Sequence, residues 1–214
     1  MGYGKTEMTA STIEFAKPAS EATLSAVAAR LRERNFEVVI VDRAADAKAA
    51  ALKLIPEGAE VHSGKSKTLE DTGIFQELME SGRYDFIRQR TLKMDRRTQM
   101  REITKLSATP EYMLGSVQAL TEAGQLVAAS ATGSQLGPYA SGAAKLILVV
   151  GSQKIVPDLD AALRRISEYV QPWEDARLRE QIGMGTKLAR ILIIEQDFNS
   201  GRTTVILIRE PVGI

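Results

Sequence analysis

Hydrophobic residues fall along this chain in two alternating rhythms. Leu24, Val27, Ala28 and Leu31 recur at helical spacing, so residues 21–35 read as an amphipathic helix. Ser20 stands where its hydroxyl would cap the unpaired N–H groups. Residues 36–42, FEVVIVD, form a short β-branched run of the kind that makes a buried strand. Residues 45–55 return to the helical rhythm and stop at Pro56-Glu57-Gly58. Residues 59–64 read as the next strand and residues 69–80 as a helix. Residues 83–105 are charged, weakly patterned and helical in part. Residues 112–120 and 124–130 read as two strands joined by a TEAG turn, a hairpin. A small-residue loop, residues 131–143, precedes KLILVVG at 145–151, the most strand-like segment. Helices follow over the stretch after Asp158 and over 172–181, with the Asp158 carboxylate placed to suit the helix dipole. Strands over 191–197 and 203–210, linked by Asn199-Ser200-Gly201, close the chain.

This alternation predicts an α/β fold, with a mixed, mostly parallel sheet flanked by helices. Residues 1–19 read as a flexible N-terminal arm and 20–214 as one domain, which suits a length of 214 residues. No apolar run reaches the roughly 18 residues a membrane span needs. The first residues lack the apolar core of a signal peptide.

Charge narrows the possibilities further. Lys plus Arg is 28 and Asp plus Glu is 27, and that balance argues against a protein built to grip nucleic acid. Cysteine is absent, so this chain can build neither an iron–sulfur cluster nor a thiolate zinc site. The absence permits a reducing cytoplasm, the expected location. One histidine, His62, cannot make a multi-histidine metal site or a triad, and in a strand it reads as structural. No metal ligands and no catalytic set are predicted, and the cofactor stays unnamed.

Candidate chemistry gathers in loops. Gly2-Tyr3-Gly4-Lys5-Thr6 imitates a phosphate loop but no strand precedes it. Gly64-Lys65-Ser66 follows a strand and opens a helix, yet the glycine needed five positions earlier is Ala59. It is not a true P-loop; it either presents N–H groups to an anion or is a plain strand–helix turn. Thr132-Gly133-Ser134-Gln135 sits in the 131–143 loop, where small residues would let a ligand approach the backbone, unless the loop is only a connector. Gly151-Ser152-Gln153-Lys154 leaves the carboxyl end of the strongest strand, the edge that borders the ligand crevice in open α/β sheets. Lys154 is there either to pair with a phosphate or carboxylate or as a surface lysine. Residues 88–101 carry five arginines and one lysine, a solvated helix face or a surface for an anionic partner. Gly183-Met184-Gly185 precedes a strand, so it is no dinucleotide fingerprint, and Trp173 reads as a packing or helix-start residue.

In order along the chain, several segments resemble the lactate-utilisation (LUD) domain family. Ile55-Pro56-Glu57-Gly58-Ala59 and Gly64-Lys65-Ser66-Lys67-Thr68-Leu69-Glu70-Asp71-Thr72-Gly73 resemble its GS-x-TLEE-x-G region. Residues 116–121, 124–127 and 132–134 resemble its central hairpin and loop. The most specific match is VVGSQKIVPDLDAAL at 149–163, and residues 199–207 fit one branch. The resemblance spans most of the chain from about Ser20. It implies a fold like the sugar-phosphate isomerase and CoA-transferase group (NagB, RpiA), near the formyltetrahydrofolate cyclo-ligases. It also implies a link to oxidation of lactate to pyruvate beside iron–sulfur partner subunits. Many members have Asn-Ala-Ile-Thr where Gln118-Ala119-Leu120-Thr121 stands here. Many have Asp-Gly-Thr-Gly-Asn where this chain has Ser130-Ala131-Thr132-Gly133-Ser134, which removes an acid from the loop.

The expectation is a protein that binds a small anionic metabolite or cofactor. Gly64, Ser66 and Thr68 would donate from one wall and Thr132, Gly133, Ser134 and Gln135 from the other, with Gly151 at the edge and Lys154 supplying charge. The rivals are a transferase or ligase acting on a phosphorylated, CoA-linked or folate-like substrate, and a docking subunit. A homo-oligomer stays open.

Overall fold

A computed structural model describes residues 14–214. The first Walker-like fragment, at Gly2–Thr6, and most of the arm lie outside the described residues. In chain order the elements are α1 (Glu21–Glu33), β1 (Glu37–Val41), α2 (Ala44–Lys53), β2 (Glu60–Ser63), α3 (Lys67–Asp71), α4 (Ile74–Glu80) and β3 (Asp85–Phe86). Then come α5 (Ile87–Thr91), α6 (Met100–Ala108), β4 (Tyr112–Gly115), β5 (Ala119–Thr121), β6 (Leu126–Ser130) and a π-turn at Pro138–Gly142. The chain finishes with β7 (Lys145–Gly151), a 3-10 turn at Ser152–Lys154, β8 (Ile155–Val156), α7 (Leu159–Arg164), a second π-turn at Arg165–Val170, α8 (Gln171–Ile182), β9 (Arg190–Ile194) and β10 (Thr203–Ile208).

Six strands form one wholly parallel sheet in the order β1-β10-β7-β4-β2-β3. A smaller sheet, β8-β5-β6-β9, packs beside it. β7 shows why the sequence reads as an unbroken apolar run. Leu146, Leu148 and Val150 face a core shared with α1 and the small sheet, while Ile147 and Val149 face a second core under α2 and α4. A third core lies on the outer face of the small sheet, where Ala161, Ala162 and Ile166 pack on Ala119 and Val127.

Local signals act as the sequence suggests. Ser20 Oγ accepts from Thr23 N–H at 3.1 Å and caps α1. The Asp158 carboxylate accepts from Ala161 N–H at 2.8 Å and caps α7. Two expectations change. The helix over 69–80 breaks at Gly73, whose φ of +72° ends α3 and starts α4. The segment 112–120 is two strands rather than one, because the chain leaves the large sheet after Gly115 and enters the small one at Ala119. β9 and β10 are not neighbours: β9 lies antiparallel to β6 and β10 runs parallel between β1 and β7.

Candidate functional site

All six strands of the large sheet run the same way, so their carboxyl ends share one edge. From β2 the chain proceeds outward to β3, whereas from β4 it passes through β5 and β6 of the small sheet and re-enters the large sheet at β7, on the opposite side. Neighbouring strands whose exits diverge leave a crevice between their carboxyl ends, the place where open α/β sheets bind ligands. Here that place is framed by Gly64–Thr68 after β2 and by Ser116 after β4.

Lys154 reaches toward this edge from the turn after β7. The side chain is not on the surface: Lys154 is 3% exposed. Its Nζ donates to Thr68 Oγ1 at 2.8 Å, to Ser116 Oγ at 3.0 Å and to the Val117 carbonyl at 3.2 Å. Ser116 Oγ in turn donates to the Val149 carbonyl at 2.6 Å. Among the described residues no carboxylate touches the amine. Burial, and next the like charge of Arg165, hold its ammonium well below the ordinary lysine range; Asp71 opposes them.

Proton counting makes the cage specific. An ammonium would donate all three bonds. A neutral amine donates two and accepts one. Val117 O can only accept, and Ser116 spends its proton on Val149, so a neutral amine would have only the Thr68 hydroxyl to accept from. Charging Lys154 therefore turns one hydroxyl, that of Thr68, toward Ser116 Oγ 3.3 Å away.

Ser116 is held by the first π-turn. Tyr139 Oη accepts from Ser116 N–H at 3.1 Å and donates to Ser116 O at 3.2 Å, so one phenol satisfies both backbone groups where β4 departs from its sheet. A Cβ on Gly115 would fall 1.7 Å from that phenol oxygen, and glycine there is what admits the ring. The second π-turn supplies Arg165, which is 0% exposed. Its guanidinium donates to the Gln118 carbonyl at 2.5 Å and the Phe15 carbonyl at 3.3 Å, and stacks on Tyr169. Among the described residues its Nε has no hydrogen-bond partner. Burial lowers its pKa to about 10, which still leaves it charged at neutral pH.

The C-terminal segment packs over the β7 side of this edge. Gln153 exchanges two hydrogen bonds with Val212, at 2.9 and 3.2 Å. A Cβ on Gly151 would lie 2.6 Å from Val212 N, and one on Gly213 would lie 2.2 Å from Thr68 Oγ1. Beyond Gln118, a hollow of about 90 Å³ opens between the small sheet and the second π-turn, lined by Ser130, Ile166, Val170, Glu174 and Lys187 among others; Lys154 does not line it.

The structure thus distributes the residues the sequence marked. Thr68 and Lys154 are in direct contact. Gly64 lies against Gln135, where an added Cβ would be 3.5 Å from the glutamine Cβ. Gln135 binds Ser130 Oγ at 3.2 Å and donates to Ala129 O at 3.4 Å. Ser66 caps α3, accepting from Leu69 N–H at 3.4 Å. Gly151 faces the backbone of Val212. Thr132, Gly133 and Ser134 form a turn of their own, with Thr132 Oγ1 3.2 Å from Ser134 Oγ and Gly133 beside Arg190. Ser116, Tyr139 and Arg165 went unmarked. An arginine on a helix and a tyrosine in a glycine loop carry no sequence sign of being buried. In the arginine run, Arg88 stacks on Phe75 and Arg90 pairs with Asp85 at 2.8 Å and Glu60 at 3.2 Å, while Arg96, Arg97 and Arg101 are exposed.

His62, on β2 near the carboxyl edge of the sheet, is 8% exposed, and among the described residues its Nδ1 has no hydrogen-bond partner. Burial, and then the like charge of Arg88, lower its pKa to about 4 from 6.5. The folded state therefore holds fewer protons than the unfolded state between those values. Stability is complete above pH 6.5 and falls by about 3 kcal/mol as pH drops to 4. Urea unfolding of His62→Leu across this window is expected to show a smaller loss than the wild type; parallel losses would exclude His62 as the source.

Among the described residues, no cluster of His, Cys, Asp or Glu could hold a metal, and no helix is long and apolar enough to cross a membrane. None of the curated proteins matches the chain. A crystal structure of a DUF162 family protein from Deinococcus radiodurans is similar, with a TM-score of 0.53 and 13% identity over 89% of this chain and 99% of that one. At that identity the likeness speaks for the fold alone. The sequence profile of the LUD domain matches residues 24–208, from α1 to the end of β10. The chain belongs to the LUD domain family.

Proposed function

We propose that this LUD-domain protein serves lactate utilisation by binding a small anionic metabolite or cofactor at the crevice between β2 and β4, beside Lys154. The observation that supports this most is electrostatic. Lys154 and Arg165 are both buried and near enough to repel, and among the described residues neither meets a carboxylate. Keeping these groups protonated while buried is costly, and an incoming anion offsets that cost. Gly64 and Gln135 form the adjoining wall, and Thr68 and Ser116 supply hydroxyls. On this reading the protein works in the cytoplasm beside iron–sulfur subunits, which carry the electrons that a cysteine-free chain cannot.

A second reading, an enzyme acting on a phosphorylated, CoA-linked or folate-like substrate, is favoured by the same amine. A lysine whose pKa is lowered by burial at the sheet edge is a candidate base or nucleophile. Turnover with a stabilising compound would distinguish enzyme from binder.

A thermal-shift screen with lactate, pyruvate, inorganic phosphate, nucleotides, CoA and folates tests both. At least one anion is expected to raise Tm, with the rise growing as pH falls, because binding draws a proton onto Lys154. No shift with any of these, or a shift unchanged in Lys154→Met, would refute the site.

A further inference from the structure

We infer that residues 88–105, beside β3 at the end of the large sheet, form a docking surface for an acidic protein partner, held by arginine–carboxylate pairs around two exposed apolar side chains. The inference is independent of the ligand site. Residues 88–105 carry seven basic and two acidic side chains, a net +5, in a chain whose net charge is +1, so the remainder carries −4. Elsewhere helical cations meet an acid one turn away: Arg30 with Glu33, Lys67 with Asp71, Arg177 with Glu174 and Arg179 with Asp175. A solvated face is normally balanced in that way. Here Lys93, Arg96, Arg97, Arg101 and Lys105 are exposed, and none of them makes an ion pair among the described residues; within the stretch only Arg90 does. Burial, and next the like charge of Arg96, lower the pKa of Arg88, with Glu70 opposing them, so the basic groups crowd one another.

The arginines are also held in place. Between α5 and α6 the Asp95 carboxylate accepts from Arg97 N–H at 2.9 Å and from Thr98 Oγ1 at 2.8 Å. Gln99 Oε1 accepts from Asp95 N–H at 2.9 Å, and Gln99 N–H donates to Asp95 O at 2.8 Å. The turn is closed on itself, and its one acid is spent on the turn rather than on Arg96 and Arg97. Leu92, 60% exposed, and Met100, 50% exposed, stand at its two ends. Arginine and methionine are enriched where proteins meet, and a guanidinium fork pairs a carboxylate through two N–H groups. A lipid surface fits less well. Ile103 and Leu106 of α6 are half-buried rather than offered to a bilayer, and no Phe, Tyr or Trp lies between residues 87 and 105 to anchor among headgroups. The same lack removes the rings on which single-stranded nucleic acid would stack.

Fluorescent peptides rich in glutamate and leucine serve as the probe. The full chain should bind them at low salt and release them as salt rises. The triple variant Arg96→Ala, Arg97→Ala, Arg101→Ala should weaken binding by about tenfold or more, with an unchanged unfolding midpoint because these side chains are exposed. Lysine at the same three positions keeps the charge but lacks the fork, and should also weaken binding. Exchanging the peptide's leucines for serine should weaken binding to the wild type, and should matter less to Leu92→Ser. No binding, a triple alanine or triple lysine variant that binds like the wild type, indifference to the peptide's leucines, or tighter binding to phosphatidylserine vesicles or duplex DNA would each overturn the proposal.

Discussion

Lys154→Met is expected to make the protein more stable at neutral pH while abolishing its response to the anionic ligand. Burial lowers the amine's pKa in the fold well below its value in the unfolded chain, so below about pH 10.5 the folded state holds fewer protons and the amine draws the equilibrium toward unfolding. The sign follows from its lowered pKa. Stability attributable to the amine is complete above pH 10.5 and falls as pH drops below it, levelling off below the folded-state pKa. Methionine fills a similar volume and carries no proton. Replacing a buried ionisable group by an apolar side chain of like size gains about 1–3 kcal/mol. The hydroxyls left behind still have partners, since Ser116 donates to Val149 and Thr68 lies within reach of Ser116. Denaturant unfolding at pH 7 and pH 10 should show the variant's advantage at the lower pH and its loss at the higher. A variant less stable than the wild type at pH 7 would mean that Lys154 is a structural brace, and the stability argument for a ligand site would fail. Stability surrendered at one buried group is the pattern expected where a site is kept for binding.

Gly115→Ala is expected to cost at least about 3 kcal/mol, and Tyr139→Phe about 2 kcal/mol, with strong coupling between them. The added methyl would lie 1.7 Å from Tyr139 Oη and 2.7 Å from Cζ, with the ring 3% exposed and unable to swing into solvent. Tyr139→Phe removes the phenol that satisfies both Ser116 N–H and Ser116 O. In the double variant the hydroxyl that collides with the methyl is gone, so the combined loss should be well below the sum. Additive losses would mean that Gly115 and Tyr139 do not meet as described. Because Ser116 holds Lys154, Tyr139→Phe should also weaken ligand-induced stabilisation, although Tyr139 touches the lysine only through Ser116.

Much of the fold could be read from the chain, for reasons visible in particular segments. β7 is buried on both faces and so is apolar throughout, and α1 and α7 carry side-chain caps. The strand from 112 to 120 misled because Ser116, Val117 and Gln118 interrupt an apolar run without a Gly-Pro signal; what breaks the strand is the tertiary clasp of Tyr139. Gly73 was read as part of a helix because only its positive φ reveals two helices. At the site, spacing from a strand end located Gly64, Thr68 and Lys154. It could not reveal that Lys154 is sealed from solvent, or that Arg165 is buried behind it. Both π-turns shift side-chain phase by one residue, which a 3.6-residue pattern does not anticipate.

The most direct test is calorimetric titration at pH 7 of the most stabilising anion, in two buffers that differ in ionisation enthalpy. The account predicts net proton uptake on anion binding by the wild type and no binding to Lys154→Met. Binding with the same heat in both buffers, or binding that persists in the methionine variant, would contradict it.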